Sequence, residues 1–227
     1  MSMPSKDIKT VGYVMRRTNY GEADRILDII TPLGKIAAIA RGARREKSKL
    51  AGGIEMFTLT DYCFHKGQGE LAIVTSAKMK NHFSNIMKSY DRIELGGVIL
   101  KKVAKIAEGS DSDEYFNIVH QAIMGLNDGV DVRLVETYAL VNLASAMGEE
   151  LNLQRDGNGE RLAPQRQYDW DEINDCFIEC EGAAFNENDI KLLRMIASTD
   201  LAVVTRVKNI DESLGKVWEL VRAVVHI

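Results

Sequence analysis

The sequence of 227 residues has little of what secreted or membrane-spanning proteins need. It contains three cysteines, Cys63, Cys176 and Cys180, which are too few for a disulfide framework and favour a reducing compartment. No apolar run reaches the roughly 20 residues of a membrane helix, and the first ten residues lack the apolar segment of a signal peptide. We therefore expect a cytoplasmic protein without a membrane partner.

Catalytic and cofactor-binding motifs are also missing. The sequence has no GxSxG, P-loop, GxGxxG or HExxH pattern, and its four histidines are scattered. Cys176 and Cys180 lack a second ligand pair at zinc-binding spacing, so neither a zinc site nor another cofactor is expected. The acidic group at residues 111–114 fits a helix cap better than a metal cluster. The sequence therefore predicts a protein that is not an enzyme.

Positive charge is concentrated in the first part of the chain. The formal net charge of the whole chain is −4, yet residues 1–85 carry +6 and residues 86–227 carry −10. The segment RGARREKSKL, residues 41–50, has five basic side chains in ten positions. This asymmetry predicts that the first part binds a polyanion, although two solvated surfaces of unequal charge would give the same count.

Alternating apolar residues predict β-strands over the first 80 residues. In IKTVGYVMRR the alternation puts Val11, Tyr13 and Met15 on one face and Val14 and Arg16 on the other. Four more strands are predicted in ADRILDII, KIAAIARGA, MFTLTDYCFH and ELAIVTSAKM. TPLG fits a β-turn and KGQG a hairpin loop, and Gly52-Gly53 is expected to make the long charged connection flexible. Five short strands with these connections predict a small closed barrel.

A helical period of about 3.6 begins after residue 82. Five helices are predicted, in 92–107, DSDEYFNIVHQAIMGL, DVRLVETYALVNLASAMG, NENDIKLLRMIAS and DESLGKVWELVRAVVHI, with a polar loop at 152–168. Asp111 and Glu114 are placed like an N-cap pair, and Gly148 ends the third helix. The predicted fold class is α+β, with a five-stranded β-barrel domain at 1–82 followed by an all-α helical domain at 83–227.

The basic loop is the predicted binding site, because side chains on a loop are free to reach a ligand. Four more cations lie on or near strands that a small barrel could bring beside it. The nine candidate phosphate-binding residues are Arg16, Arg17, Arg25, Lys35, Arg41, Arg44, Arg45, Lys47 and Lys49. Small barrels commonly bind single strands through a basic groove with stacked aromatic rings. Tyr13, Tyr20, Phe57, Tyr62 and Phe64 are available, although most of them are expected to pack the barrel. Lys101, Lys102 and Lys105 form a further basic patch, which fits a solvated helix face equally well.

The string NYGEADRILDIITPLGKIAAIARGARREKSKL resembles the N-terminal signature of the RecO family of bacterial recombination mediators. The resemblance lies in the order of YGEADRIL, GKI and ARGARR-x-KS-x-L; it is strong over about residues 8–80 and weaker over most of the chain. It implies an N-terminal OB-fold and a helical C-terminal domain. Many members carry a four-cysteine zinc module, but QRDGNGERL stands where its first cysteines would be, so zinc is not carried over.

The same resemblance implies a function in DNA repair and recombination. It implies binding of single- and double-stranded DNA in the basic N-terminal region that contains the nine candidate residues, annealing of complementary strands, and location at the nucleoid. The implied partners are RecR and the C-terminal tail of single-stranded DNA-binding protein (SSB), in a role that loads the RecA recombinase. Three alternatives stay open: an OB-fold RNA-binding protein, a protein-only adaptor, and a metal-dependent hydrolase built on carboxylates of the second half.

Overall fold

The computed structural model of the protein describes residues 6–109 and 112–227 and divides the chain into two compact units. The first unit ends at Asn127 and the second begins at Asp128. The predicted domain boundary near residue 82 separates the barrel from the helices that follow it. The division after Asn127 shows which residues pack compactly together, and it does not show where a barrel that folds by itself would end. The boundary near residue 82 therefore stays a prediction.

Five strands of the first unit form a closed barrel in the order β1-β2-β3-β5-β4. They are β1 (Lys6–Tyr20), β2 (Asp24–Thr31), β3 (Gly34–Ala40), β4 (Thr58–Lys66) and β5 (Ala72–His82). All pairings are antiparallel except the short β3–β5 contact, where Ala38 lies opposite Ala72. The five-stranded closed barrel is confirmed. Its interior is filled by apolar side chains that alternate along the strands, such as Leu27, Ile29 and Phe64.

A β-bulge changes the predicted faces of β1. Val14 lies opposite Ile29 and Arg16 opposite Asp28, which leaves Met15 as the extra residue. Because one inserted residue reverses the alternation, Val14 points into the barrel core while Arg16 is exposed. The prediction that Val14 and Arg16 share one face was therefore wrong.

Two helices complete the first unit, α1 (Tyr90–Ile106) and α2 (Glu114–Asp128). Asp111, one member of the predicted N-cap pair, lies outside the described residues, and the side chain of Ser112 accepts a hydrogen bond from the backbone N–H of Glu114 at 3.1 Å.

The second unit contains four helices and a short hairpin. The helices are α3 (Val132–Ala146), α4 (Glu187–Ser198), α5 (Leu201–Val204) and α6 (Ile210–Val224), of which α3, α4 and α6 pack on one another. Gly148, with φ +80, follows the end of α3 as predicted. The antiparallel strands β6 (Tyr168–Asp171) and β7 (Cys176–Glu179) were not predicted, and they add a small sheet to the helical C-terminal part.

Candidate nucleic-acid interface

The basic segment at residues 41–50 is a series of tight turns held against the barrel. The backbone N–H of Gly42 donates to Asp24 Oδ1 at 2.7 Å, and that of Arg44 donates to the carbonyl of Ala23 at 2.8 Å. Ala43 is buried in the barrel core and Leu50 packs against it. These contacts hold the backbone of the segment beside the turn between β1 and β2, and the charged side chains extend from this backbone.

All five cations of this segment point outward. We call Arg41, Arg44, Arg45, Lys47 and Lys49 the loop cations; each is exposed. Across the described residues none of them forms an ion pair, and the one side-chain hydrogen bond among them runs from Arg44 to the carbonyl of Gly21 at 3.2 Å. Exposed, unpaired guanidinium and ammonium groups are free to neutralise phosphates.

One aromatic ring lies exposed beside the loop cations. Tyr20 ends β1 opposite Asp24, the residue that holds Gly42, and it is 56% exposed. The other four aromatic candidates are buried, as expected for most of them: Tyr13, Phe57, Tyr62 and Phe64. Tyr20 is thus the member of that set on which a base could stack.

Arg17 and Arg25 lie at the end of the barrel nearest the loop cations. Arg25 is opposite Ala40, the residue before the loop begins, and both arginines share the carboxylate of Glu55. Their side chains are about one-quarter exposed, at 27% and 26%. The register thus places Arg25 beside the residue from which the segment of the loop cations starts.

Arg16 and Lys35 lie elsewhere. Lys35 is opposite Ile30 and Arg25 opposite Ala40, so five strand residues, about 17 Å, separate Lys35 from Arg25 along the barrel. Arg16 is next to Arg17 on β1 but on the other face of the strand, since Arg17 pairs with the core residue Leu27 and Arg16 with Asp28. Arg16 Nε lies 3.1 Å from Asp28 Oδ2 and is 69% exposed. Lys35 Nζ donates to the carbonyl of Ala104 and to Glu108 at 2.9 and 3.0 Å, and is 11% exposed.

These two residues line a groove of about 420 Å³ between the barrel and α1, together with Lys101 and Lys105. The nine candidate residues therefore form three groups and not a single patch. Within the described residues the loop cations are exposed and form no ion pair, whereas Arg17 and Arg25 share Glu55. Arg16 pairs with Asp28 and Lys35 with Glu108.

Two exposed lysines on β5 were not among the nine candidate phosphate-binding residues. Lys78 and Lys80 are exposed, and Lys80 Nζ lies 3.7 Å from Asp61 Oδ1. Between them, Met79 approaches Gly52 on the connection that follows the loop cations. The 3-10 turn Ala51–Ile54 packs on β5, and a single sequence contains no pattern that reveals this tertiary contact.

The described residues hold no group of three or more His, Cys, Asp or Glu side chains placed to bind a metal ion. Cys176 is buried and Cys180 is exposed. Burial, with Asp171, Asp156 and Asp175 nearby, raises the pKa of the Cys176 thiol above its usual range. Of the helices within the described ranges, none is long and apolar enough to cross a membrane.

Two family models together match most of the chain. The model described as recombination protein O N terminal matches residues 3–83, and the model described as recombination protein O C terminal matches residues 88–226. The chain therefore belongs to the recombination protein O, or RecO, family of DNA repair proteins, as the resemblance predicted.

Individual relatives agree with the family assignment. A DNA repair protein RecO from Dehalococcoides mccartyi is 27% identical over 225 residues, covering 96% of this chain and 88% of the relative. Another from Rubrobacter xylanophilus is 27% identical over 218 residues, covering 91% and 87%. A third, from Alkaliphilus metalliredigens, is 36% identical over 118 residues, and this match spans 51% of the chain and 48% of the relative.

Proposed function

We propose that the protein binds single- and double-stranded DNA through the loop cations and anneals complementary strands. The observation that carries this proposal is the set of five exposed cations with no ion-pair partner in the described structure, on a segment whose backbone is tied to the barrel. Neutralising five phosphates of a single strand gives a slope of about −3.5 for log affinity against log salt, or roughly a hundredfold loss for a fourfold rise in salt.

Annealing follows from this surface without a catalytic group. Two strands repel each other through their phosphates, and a surface that neutralises both lowers this barrier. The bases of the strands supply the specificity by pairing, so the protein has no need to read them. Tyr20 offers a stacking surface that accepts any base, which suits a protein that binds without sequence preference.

Membership of the RecO family supports a proposal about partner proteins. We propose that, together with RecR, the protein helps to load RecA onto single-stranded DNA coated by SSB, and that it works at the nucleoid. The acidic, apolar tail of SSB requires an apolar pocket with a basic rim. Within this proposal residues 1–82 are the OB-fold DNA-binding domain, and residues 83–227 are the helical domain that contacts partners.

A strand-annealing assay tests the proposal. Two complementary oligonucleotides, one with a fluorophore and one with a quencher, are mixed with the protein, and duplex formation is followed as loss of fluorescence. We expect faster annealing with the native protein than without it, and a loss of most of the gain when Arg44, Arg45, Lys47 and Lys49 are changed to Gln. Annealing at the protein-free rate, at salt concentrations where DNA is bound, would contradict the proposal.

A further inference from the structure

Arg17 and Arg25 converge on one carboxylate of the same chain. Arg17 Nη1 donates to Glu55 Oε2 at 2.5 Å, and Arg25 Nη1 lies 3.7 Å from Glu55 Oε1. Each carboxylate oxygen thus faces one guanidinium group. Two arginines hold the non-bridging oxygens of a phosphate in the same way, because guanidinium geometry fits carboxylate and phosphate alike.

We propose that Arg17 and Arg25 form a site for one phosphodiester group, and that Glu55 occupies this site in the free protein and competes with the nucleic acid for it. The inference rests on the proposed DNA binding and adds a residue that limits its affinity. Glu55 would then set how many cations are available to a strand that already lies on the loop cations.

The site retains binding capacity that Glu55 does not use. Arg25 Nε is buried and has no hydrogen-bond partner among the described residues, and the contact of Arg25 with Glu55 is longer than a hydrogen bond. A buried, unsatisfied N–H group is costly, and a phosphate group brings more acceptor oxygens than a carboxylate. A bound phosphate could therefore satisfy Arg25 better than Glu55 does.

Glu55 can leave the site without a change in the backbone. The residue before it, Ile54, is buried in the barrel core, and the carbonyl of Gly53 accepts a hydrogen bond from Tyr62 at 2.7 Å. The Glu55 side chain itself is 48% exposed. Rotation of this side chain into solvent is therefore enough to open the site.

The location of the site joins it to the proposed DNA surface. Arg25 pairs in register with Ala40, which immediately precedes Arg41, the first of the loop cations. With Glu55 in place, the three side chains carry a net charge of +1, and without its carboxylate they carry +2. A DNA strand bound along the loop cations would thus meet a stronger positive charge at this end of the barrel once Glu55 is removed.

Two single substitutions on the same connection separate competition from net charge. Glu55→Gln and Glu46→Gln each remove one negative charge, but Glu46 is exposed and forms no ion pair within the described residues. The binding of a fluorescein-labelled oligothymidine is measured by anisotropy at several salt concentrations. We expect E55Q to bind about three- to tenfold more tightly than the native protein. Its salt slope should steepen by about 0.7 for each phosphate gained.

A double variant and a folding check complete the test. Arg17→Gln combined with Glu55→Gln should lose the gain, because the gain requires Arg17, and thermal unfolding shows whether each variant is folded. If E55Q does not fold, Glu55→Asp, which is too short to reach both guanidinium groups, takes its place with the same expected direction. If E55Q and E46Q raise DNA affinity equally and the native protein binds DNA, the proposed competition by Glu55 is wrong and the proposed DNA binding stands. No binding by any form at low salt would overturn the proposed function itself.

Discussion

The hydroxyl group of Tyr13, on β1, lies 2.7 Å from Nδ1 of His120, on α2. The Tyr13 ring also contacts Phe83 and Phe116, and the Phe116 ring stacks on His120. Burial raises the pKa of Tyr13 and lowers the pKa of His120, so at neutral pH the hydrogen bond joins an uncharged phenol to an uncharged imidazole. This contact joins the barrel to a helix of the same compact unit.

Protonation of His120 should weaken the fold at acid pH. Because the pKa of His120 is lower in the folded protein than its ordinary value of 6.5, the unfolded chain takes up a proton first as the pH falls. The contribution to stability is therefore complete above about pH 6.5 and is lost progressively below it. Urea unfolding at pH 7.5 and pH 5 should show this loss.

The matched control for this prediction is His120→Gln, which keeps a hydrogen-bonding side chain but does not titrate. We expect the difference in unfolding free energy between the native protein and H120Q to shrink as the pH falls. Tyr13→Phe should cost about 1 kcal/mol at pH 7.5, the usual value of one hydrogen bond. A native-minus-H120Q difference that does not change with pH would show that His120 does not titrate in this way.

Gly53 is needed for close packing, which corrects the expectation that Gly52-Gly53 makes the connection flexible. The two residues lie in a 3-10 helical turn, Ala51–Ile54, and a Cβ atom on Gly53 would come within 2.5 Å of the carbonyl oxygen of Ala77. Gly53→Ala should therefore reduce the free energy of unfolding by about 2–3 kcal/mol in urea titrations.

Gly52→Ala is the matched control, because its Cβ atom would meet only Met79 Cε, at 4.0 Å, which is an ordinary contact. It should leave stability nearly unchanged. If Gly53→Ala is tolerated as well as Gly52→Ala, the backbone of this turn can shift, and the conclusion that Glu55 leaves its site by side-chain rotation on a fixed backbone would be wrong.

Cysteine reactivity should separate Cys176 from Cys180. The raised pKa of Cys176 lowers its thiolate fraction, and the residue is buried, whereas Cys180 is exposed. A maleimide reagent at pH 7.5 should therefore label Cys180 first, which peptide mass spectrometry can verify. Elemental analysis of the purified protein should find no stoichiometric zinc. One zinc per chain, or equal labelling that a chelator accelerates, would mean that these cysteines hold a metal.

Much of the fold was predictable, because local sequence determines it. The strands of the barrel follow from period-two alternation, and the turn at Pro32 and Gly34 from its residue types. The strands β6 and β7 have four residues each, too few for alternation to be recognised. The bulge at Met15 could not be predicted from the sequence either, because it depends on how β1 pairs with β2.

The candidate site was predictable in its composition but not in its grouping. The exposure of the loop cations follows from their place in a charged connection. The partners of the strand cations come from distant parts of the chain: Glu55 is 38 residues from Arg17, and Glu108 is 73 residues from Lys35. Such pairs are set by tertiary structure, and a single sequence contains no pattern that reveals them.

The most direct test of DNA binding by the loop cations is the anisotropy of a labelled single-stranded oligonucleotide, titrated at several salt concentrations. The native protein is compared with a variant in which Arg44, Arg45, Lys47 and Lys49 are all Gln. We expect salt-dependent binding by the native protein, and a slope shallower by about 2–3 in the variant, with thermal stability nearly unchanged because these side chains are exposed. An unchanged slope in the variant, or no binding by the native protein at low salt, would contradict a role of the loop cations in holding DNA.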